Sequence, residues 1–233
     1  MKILIGADLV PTIGNIMLFA QGEKQKLLGN ELADIIDHAD FRIFNLEVPL
    51  TDSDTPIVKE GPNLRAPTKS AQGFRSIGVN LFALANNHIL DQGEQGLRST
   101  IQTLDHIGIH HVGAGLNLHE AEKPYYFVEK EKRYGIYACA EHEYSIAGKE
   151  SPGANPFDPL DTPDKIEEIK SGCDYLIVLY HGGKEHYRYP SPNLLFAKGY
   201  TRHSLLLKCL TANLNPRIHY SANQKGNYPV HKQ

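Results

Sequence analysis

Five short apolar runs in this 233-residue chain each lead at once into side chains that bind metals or move protons. The run 2–7 ends in Asp8. The run 41–46 closes on Asn45, Leu46 and Glu47. The run 79–85 leads into Asn86, Asn87 and His88, with Asp91 close behind. The run 135–140 leads into Glu141, His142 and Glu143, and the run 175–180 into His181, Gly182, Gly183, Lys184, Glu185 and His186. Carboxylate, amide and imidazole together form a mixed oxygen and nitrogen ligand set. Such a set suits Mn, Fe, Zn or Mg rather than a thiolate site. Two ions bridged by a carboxylate would hold both the attacking and the leaving oxygen of a phosphoryl-type substrate.

Each residue also has a plainer reading. Asp8 can be a turn residue after a strand. Asn86 and Asn87 can form a turn, because Asn tolerates left-handed geometry. Asp91 followed three residues later by Glu94 reads as a helix N-cap with an acid at the capping-box position. His181-Gly182-Gly183 can be a sharp strand exit. His106, His110 and His111 read as helix and strand surface. The clustered reading gains over these because all five polar groups follow strands. In α/β sheets, ligands sit outside the carboxyl ends of strands.

The elements that must position these groups alternate along the chain. Strands are expected at 2–7, 41–46, 79–85, 109–112 and 175–180, and a hairpin at 125–128 and 135–140. Helices are expected at 26–39, 68–77 and 94–107, with Leu97, Ile101 and Leu104 on one face of the last. A further helix starts at Pro163 behind Thr162 as N-cap, and a last one covers 193–210. The loop 51–69 is too long for a plain connection and is expected to be functional. Alternation of this kind argues for a layered α/β domain.

Composition removes other classes. Hydrophobic residues make up 41% and charged residues 22% of the chain, enough for a sizeable core. No apolar run approaches the roughly 20 residues that span a bilayer. The acid at Asp8 comes too early for a signal-peptide core. Cys139, Cys173 and Cys209 form no CxxC pair, so a disulfide scaffold is not expected and a reducing cytoplasm is. No P-loop, dinucleotide fingerprint or nucleophile elbow occurs. The formal net charge of −3 conceals an asymmetry. Residues 1–185 carry all 27 acids with 17 Lys and Arg, whereas 186–233 carry the other 7 basic residues and no acid. Those seven charges are too dispersed for nucleic-acid binding, which needs several phosphate contacts at once.

The residues resemble the CapA family, bacterial capsule or poly-γ-glutamate synthesis proteins with a calcineurin-like metallophosphoesterase fold. The resemblance rests on Gly6-Ala7-Asp8, on Phe41-Arg42-Ile43-Phe44-Asn45-Leu46-Glu47 and on Gly61-Pro62-Asn63-Leu64-Arg65-Ala66-Pro67. It continues through Leu84-Ala85-Asn86-Asn87-His88-Ile89-Leu90-Asp91-Gln92-Gly93, Gly113-Ala114-Gly115 and His181-Gly182-Gly183-Lys184-Glu185. It covers roughly residues 1–200. It implies an α/β/β/α sandwich binding one or two divalent ions (Mn, Fe, Zn or Mg). By resemblance, Asp8 is a ligand of the first metal and Glu47 the bridging carboxylate. Asn87 and His181 are ligands of the second, and His88 is the general acid. Lys59, Arg65, Asp91 and Glu185 fall on the substrate side. Arg65 either pairs an anionic group with two parallel bonds or is a solvated loop charge. The implied substrate is an anionic small molecule or polymer, either a phosphate ester or an envelope-polymer-related compound.

The chain departs from the family after residue 200. The family's His-x-His motif is not found in 201–233, which reads as an atypical basic tail. The expected domain is therefore the sandwich incomplete at its C-terminus, with the tail a frame-shifted or truncated terminus. Three protein ligands hold a metal with open positions, so a weak mononuclear site is expected rather than a tight binuclear one. Two functions compete: a metal-dependent hydrolase, and a non-catalytic module that binds an envelope polymer or anionic ligand in the same cleft.

Overall fold

The computed structural model describes residues 1–141 and 144–183, together with the backbone of one strand further on. The first half builds a parallel sheet in the order β1 (Ile3–Leu9), β2 (Phe41–Leu46), β3 (Leu81–Ala83) and β4 (His110–Val112). Its crossovers are helical: α1 (Ile16–Gln21), α2 (Lys24–Asp37), α3 (Ala71–Ile77) and α4 (Gly93–Ile107). A two-stranded ladder, β5 (Ala114–Gly115) with β8 (Gly153–Ala154), and the short α5 (Leu118–Ala121) lead out of it. The second half builds a mixed sheet in the order β10 (Ser204–Cys209), β9 (Tyr175–His181), β7 (Lys132–Ala140) and β6 (Tyr125–Glu129). Helix α6 (Asp161–Ser171) joins β8 to β9.

Strand alternation sorts these elements into four layers. Successive side chains of a strand point to opposite faces. On β2, Phe41 stacks on Phe127 of β6 with ring centroids 4.5 Å apart. Its neighbour Arg42 points the other way and donates from Nε to the carbonyl of Ile36 on α2, at 2.8 Å. On β3, Phe82 meets Phe74 of α3 edge-on at 4.9 Å. On β7, Ile136, Ala138 and Ala140 share the main core with the first sheet. Tyr137 and Cys139 face away and pack with Ile166 and Ile169 of α6. The order is thus helices, sheet, sheet, helix: the α/β/β/α layering that the resemblance implies.

Gly113 shows how tightly the sheets meet. It sits at φ +90°, and an added Cβ would lie 2.7 Å from the Cβ of Ala138 and 2.8 Å from that of Ala85. The chain crosses from one sheet to the other there, and only glycine fits.

Three local expectations are corrected. The helix expected over 193–210 is not what its later part forms: Ser204–Cys209 is a strand, parallel to β9 with Ser204 opposite Leu176. Periodicity alone cannot separate a short apolar run in a strand from one in a buried helix, and β9 offers an open ladder edge. The rest of 193–210 lies outside the described residues. Helix α6 starts at Asp161 rather than Pro163, and Thr162 is not its N-cap. Asp158 instead accepts the backbone N–H of Leu160 at 2.7 Å, while Thr162 Oγ1 accepts that of Asp158 at 2.9 Å. Asp91 does not cap α4, because its carboxylate is engaged elsewhere. Among the described residues, no helix is long and apolar enough to cross a membrane.

Phe74 is wholly buried between α1 and the first sheet, touching Phe19 at 5.2 Å and Phe82 at 4.9 Å. Phe74→Ala is expected to cost about 3–5 kcal/mol of stability through lost burial and the cavity left behind. Urea unfolding followed by circular dichroism checks it.

Candidate functional site

Parallel strands all end on the same edge of their sheet. Asp8 near the end of β1 stands opposite Asn45 of β2, and Asn45 stands opposite Ala83 of β3. In the second sheet, β7 and β9 are also parallel, with Ala140 opposite His181. The strand ends of the two sheets meet at Asn45, which is 1% exposed. Its Nδ2 donates to Asp8 Oδ1 at 2.7 Å and lies 3.4 Å from His181 Nδ1. Its Oδ1 accepts from Asn86 Nδ2 at 3.1 Å. One buried amide therefore ties β1, β2, β9 and the loop after β3 together.

Around this amide the donors gather. His181 Nε2 lies 2.9 Å from Asn87 Oδ1 and 3.3 Å from Glu47 Oε1. Both neighbours are oxygen acceptors, so Nε2 carries the ring proton in this arrangement. Glu47 and His181 are both buried. Asp8 is pushed up from the usual 3.8 to about 6, first by burial and next by the charge of Glu47. Asn45 and His181 pull it down, less strongly. Among the described residues, neither carboxylate is paired with a lysine or arginine.

Asn86 braces the loop that carries Asn87 and His88. Its Nδ2 also donates to the Leu46 carbonyl at 2.8 Å, and its Oδ1 accepts the His88 N–H at 3.1 Å. Its own carbonyl accepts from Ser145 Oγ at 2.7 Å. His88 Nδ1 lies 2.7 Å from Asp91 Oδ2. Asp91 is wholly buried and also accepts the Leu64 N–H at 2.6 Å and a bond from the Lys59 ammonium.

The structure thus brings Asp8, Glu47, Asn87 and His181 into one contact network. His88 stands beside it, on the residue after Asn87. Lys59 and Asp91 pair with each other beside His88 Nδ1, with both side chains buried. Arg65 lies apart: its guanidinium donates to the Ser53 carbonyl at 3.2 Å and stands 3.9 Å from Asp54, both in its own loop. Glu185 lies outside the described residues. Three positioning groups stand in the strand-end runs without an individual role in the sequence reading. Asn45 and Asn86 are the buried amides just described. Glu141 accepts from the Tyr180 hydroxyl and, at 2.7 Å, from the Gly183 N–H. It thereby holds the turn after His181, where a Cβ on Gly182 would fall 2.8 Å from Glu141 Cγ. Their one sequence signal is position at or just beyond a strand end.

The donor chemistry fits a hard or borderline divalent cation: a buried and a half-buried carboxylate without a lysine or arginine partner among the described residues, an amide oxygen and an imidazole. The fit lies in chemistry rather than in a ready cage. Among the described residues, no three His, Cys, Asp or Glu side chains stand in metal-ligand arrangement. Asn87 supplies an amide, and Asp8 is turned toward Asn45.

Four layers with polar strand ends converging where two sheets meet define an α/β/β/α sandwich protein. The chain belongs to the bacterial capsule synthesis protein PGA_cap family, whose sequence model matches residues 10–196. It is 29% identical over 136 residues to the capsule biosynthesis protein CapA of Bacillus anthracis, covering 56% of this chain and 33% of that protein. It is 27% identical over 130 residues to the PGA biosynthesis protein CapA of Bacillus subtilis, covering 53% of this chain and 33% of that protein. The matched region thus spans about a third of these relatives' length. A hypothetical protein from Thermus thermophilus shares the fold at TM-score 0.51 and 15% identity, covering 93% of this chain and 72% of that one.

The raised Asp8 makes a stability prediction. Its folded value, about 6, lies above the ordinary 3.8, so the folded state binds the proton more tightly. Stability therefore falls as pH rises from near 4 to near 6, and the loss persists above that. In chelator-treated protein at neutral pH, Asp8→Asn is expected to raise stability, by up to roughly 3 kcal/mol. The gain should vanish near pH 4. Urea midpoints of both proteins across this pH range check it.

Proposed function

We propose that this chain is a metal-dependent hydrolase of the capsule-synthesis type. Its substrate is an anionic phosphate ester or a compound related to an envelope polymer. The observation that carries the reading is the convergence of Asp8, Glu47, Asn87 and His181 in one contact network beside His88. The family membership and the relatives' names, capsule and PGA biosynthesis proteins, support the substrate class.

Asp8, Glu47, Asn87 and His181 would hold one or two divalent ions (Mn, Fe, Zn or Mg), with Glu47 shared if there are two. Such an ion supplies Lewis acidity and a water nucleophile at neutral pH. The chain's own residues do the rest. Asn45 fixes Asp8 against rotation through its 2.7 Å bond. For His181 Nε2 to become a ligand, the ring proton it shares with Glu47 and Asn87 would have to move to Nδ1. His88 donates Nδ1–H to Asp91, which fixes the ring plane and leaves Nε2 as the atom that exchanges a proton with the leaving oxygen. Asn86 holds the His88 backbone in place through its 3.1 Å bond.

A second reading, ligand binding without turnover, is favoured by the lack of a ready three-residue cage among the described residues. Turnover of an aryl phosphate with added Mn²⁺ separates the two. The hydrolase reading expects activity in the wild type and a loss of about 10²–10⁴-fold in His88→Ala, the usual worth of a proton-transferring group, with metal content unchanged. Metal-loaded wild type that turns over no phosphate ester and no capsule-type polymer supports the binding module.

A further inference from the structure

The long loop 51–67 is pinned to one short turn of the chain, Asp91-Gln92. Thr55 N–H donates to Gln92 Oε1 at 2.8 Å, and Thr55 Oγ1 donates to the Gln92 carbonyl at 2.9 Å. Ile57 N–H donates to the Asp91 carbonyl at 3.1 Å. Leu64 N–H donates to Asp91 Oδ2 at 2.6 Å, and Gln92 Nε2 donates to the Leu64 carbonyl at 3.3 Å. A loop of this length does not need five bonds to one dipeptide merely to connect β2 to α3. The bonds deliver one charged group to one place. Val58, at the loop's surface, is fully exposed, whereas the side chain of Lys59 beside it is only 3% exposed.

Lys59 Nζ is bonded to Asp91 Oδ1 and stands 3.3 Å from His88 Nδ1. The face of Tyr144 lies 5.9 Å away. The hydrogen-bond inventory resolves these contacts. An ammonium only donates, and an ionised carboxylate only accepts. His88 Nδ1, 2.7 Å from Asp91 Oδ2, must therefore donate to it. Its approach to Lys59 is then proximity, not a hydrogen bond. Among the described residues, His88 Nε2 has no protein hydrogen-bond partner, and the His88 side chain is 14% exposed. Asp91 is wholly buried, so its charge is tolerable only if paired.

We infer that Lys59 is a positioning residue for His88: it anchors the buried Asp91 carboxylate, and Asp91 in turn holds the imidazole with Nδ1–H inward and Nε2 free for proton transfer. The role rests on the hydrolase reading only for its catalytic consequence. The orientation itself is a property of the resting protein. The loop is thus part of the site, although no loop side chain need touch substrate.

The test is nitrogen-15 NMR of the histidine rings in the full chain. The wild type should show a His88 Nδ1–H resonance protected from water. In Lys59→Met that proton should exchange at least about tenfold faster, or its signal disappear, as expected for loss of a charge-assisted hydrogen bond in the chain that holds it. Resonances of His110 and His119 should be unchanged. Lys59→Gln, which keeps a donor without the charge, decides in the same measurement should Lys59→Met not fold. A wild-type His88 protonated only at Nε2 overturns the proposal. So does a His88 Nδ1–H that exchanges at the wild-type rate in the folded variant. With Mn²⁺ and an aryl phosphate, Lys59→Met should lose at least about tenfold in kcat with little change in KM, the mark of a group acting in the reacting state. A wild type that shows the protected resonance but turns over nothing overturns the hydrolase reading and leaves the orientation established by the exchange data.

Discussion

The buried amide of Asn45 is the contact on which the site depends. It touches the polar ends of both sheets, Asp8 on one and His181 on the other. An amide is suited to this place because it donates and accepts from one rigid group. Its nitrogen faces the Asp8 carboxylate and the His181 ring, and its oxygen takes the Asn86 amide. A carboxylate there would repel Asp8, and an apolar residue would leave Asp8 and Asn86 with unmet bonds in a buried setting, which is costly. The sandwich core sets the distance between the sheets, with Gly113 marking how little slack exists. Asn45 converts that fixed distance into a fixed relation between Asp8 and His181.

The same arrangement stores electrostatic cost. Burial and Glu47 both raise the Asp8 carboxyl. Function would explain why such a cost is kept, since a bound cation would attract both carboxylates and offset their mutual repulsion. By contrast, the Lys59–Asp91–His88 chain is electrostatically satisfied within the protein. The site therefore has two halves of different character: one without a lysine or arginine partner among the described residues, one complete. That division matches a cation on one side and a held proton-transfer group on the other.

Much of this was legible in the sequence, for definite reasons. Short apolar runs ending in polar groups located β1, β2, β7 and β9, and parallel connectivity then put Asp8, Glu47, Asn87 and His181 at one edge. What stayed hidden was tertiary. Asp91 followed by Glu94 has the spacing of a capping box, and only the fold shows its carboxylate turned to Lys59, 32 residues away. Arg65 had two readings of equal standing, and the structure gives it loop partners. Asn45 looks in sequence like one polar residue inside a strand. The stretch Leu205-Leu206-Leu207 carries no period that separates helix from strand, and pairing with β9 decided it.

The central claim is that the strand-end network is a divalent-cation site. Equilibrium titration of chelator-treated protein with Mn²⁺, followed by the paramagnetic signal of the free ion, tests it most directly. The account expects saturable, stoichiometric binding that Glu47→Gln abolishes and Arg65→Ala leaves intact. Absence of saturable binding in folded wild type, or binding that Glu47→Gln leaves unchanged, would contradict it.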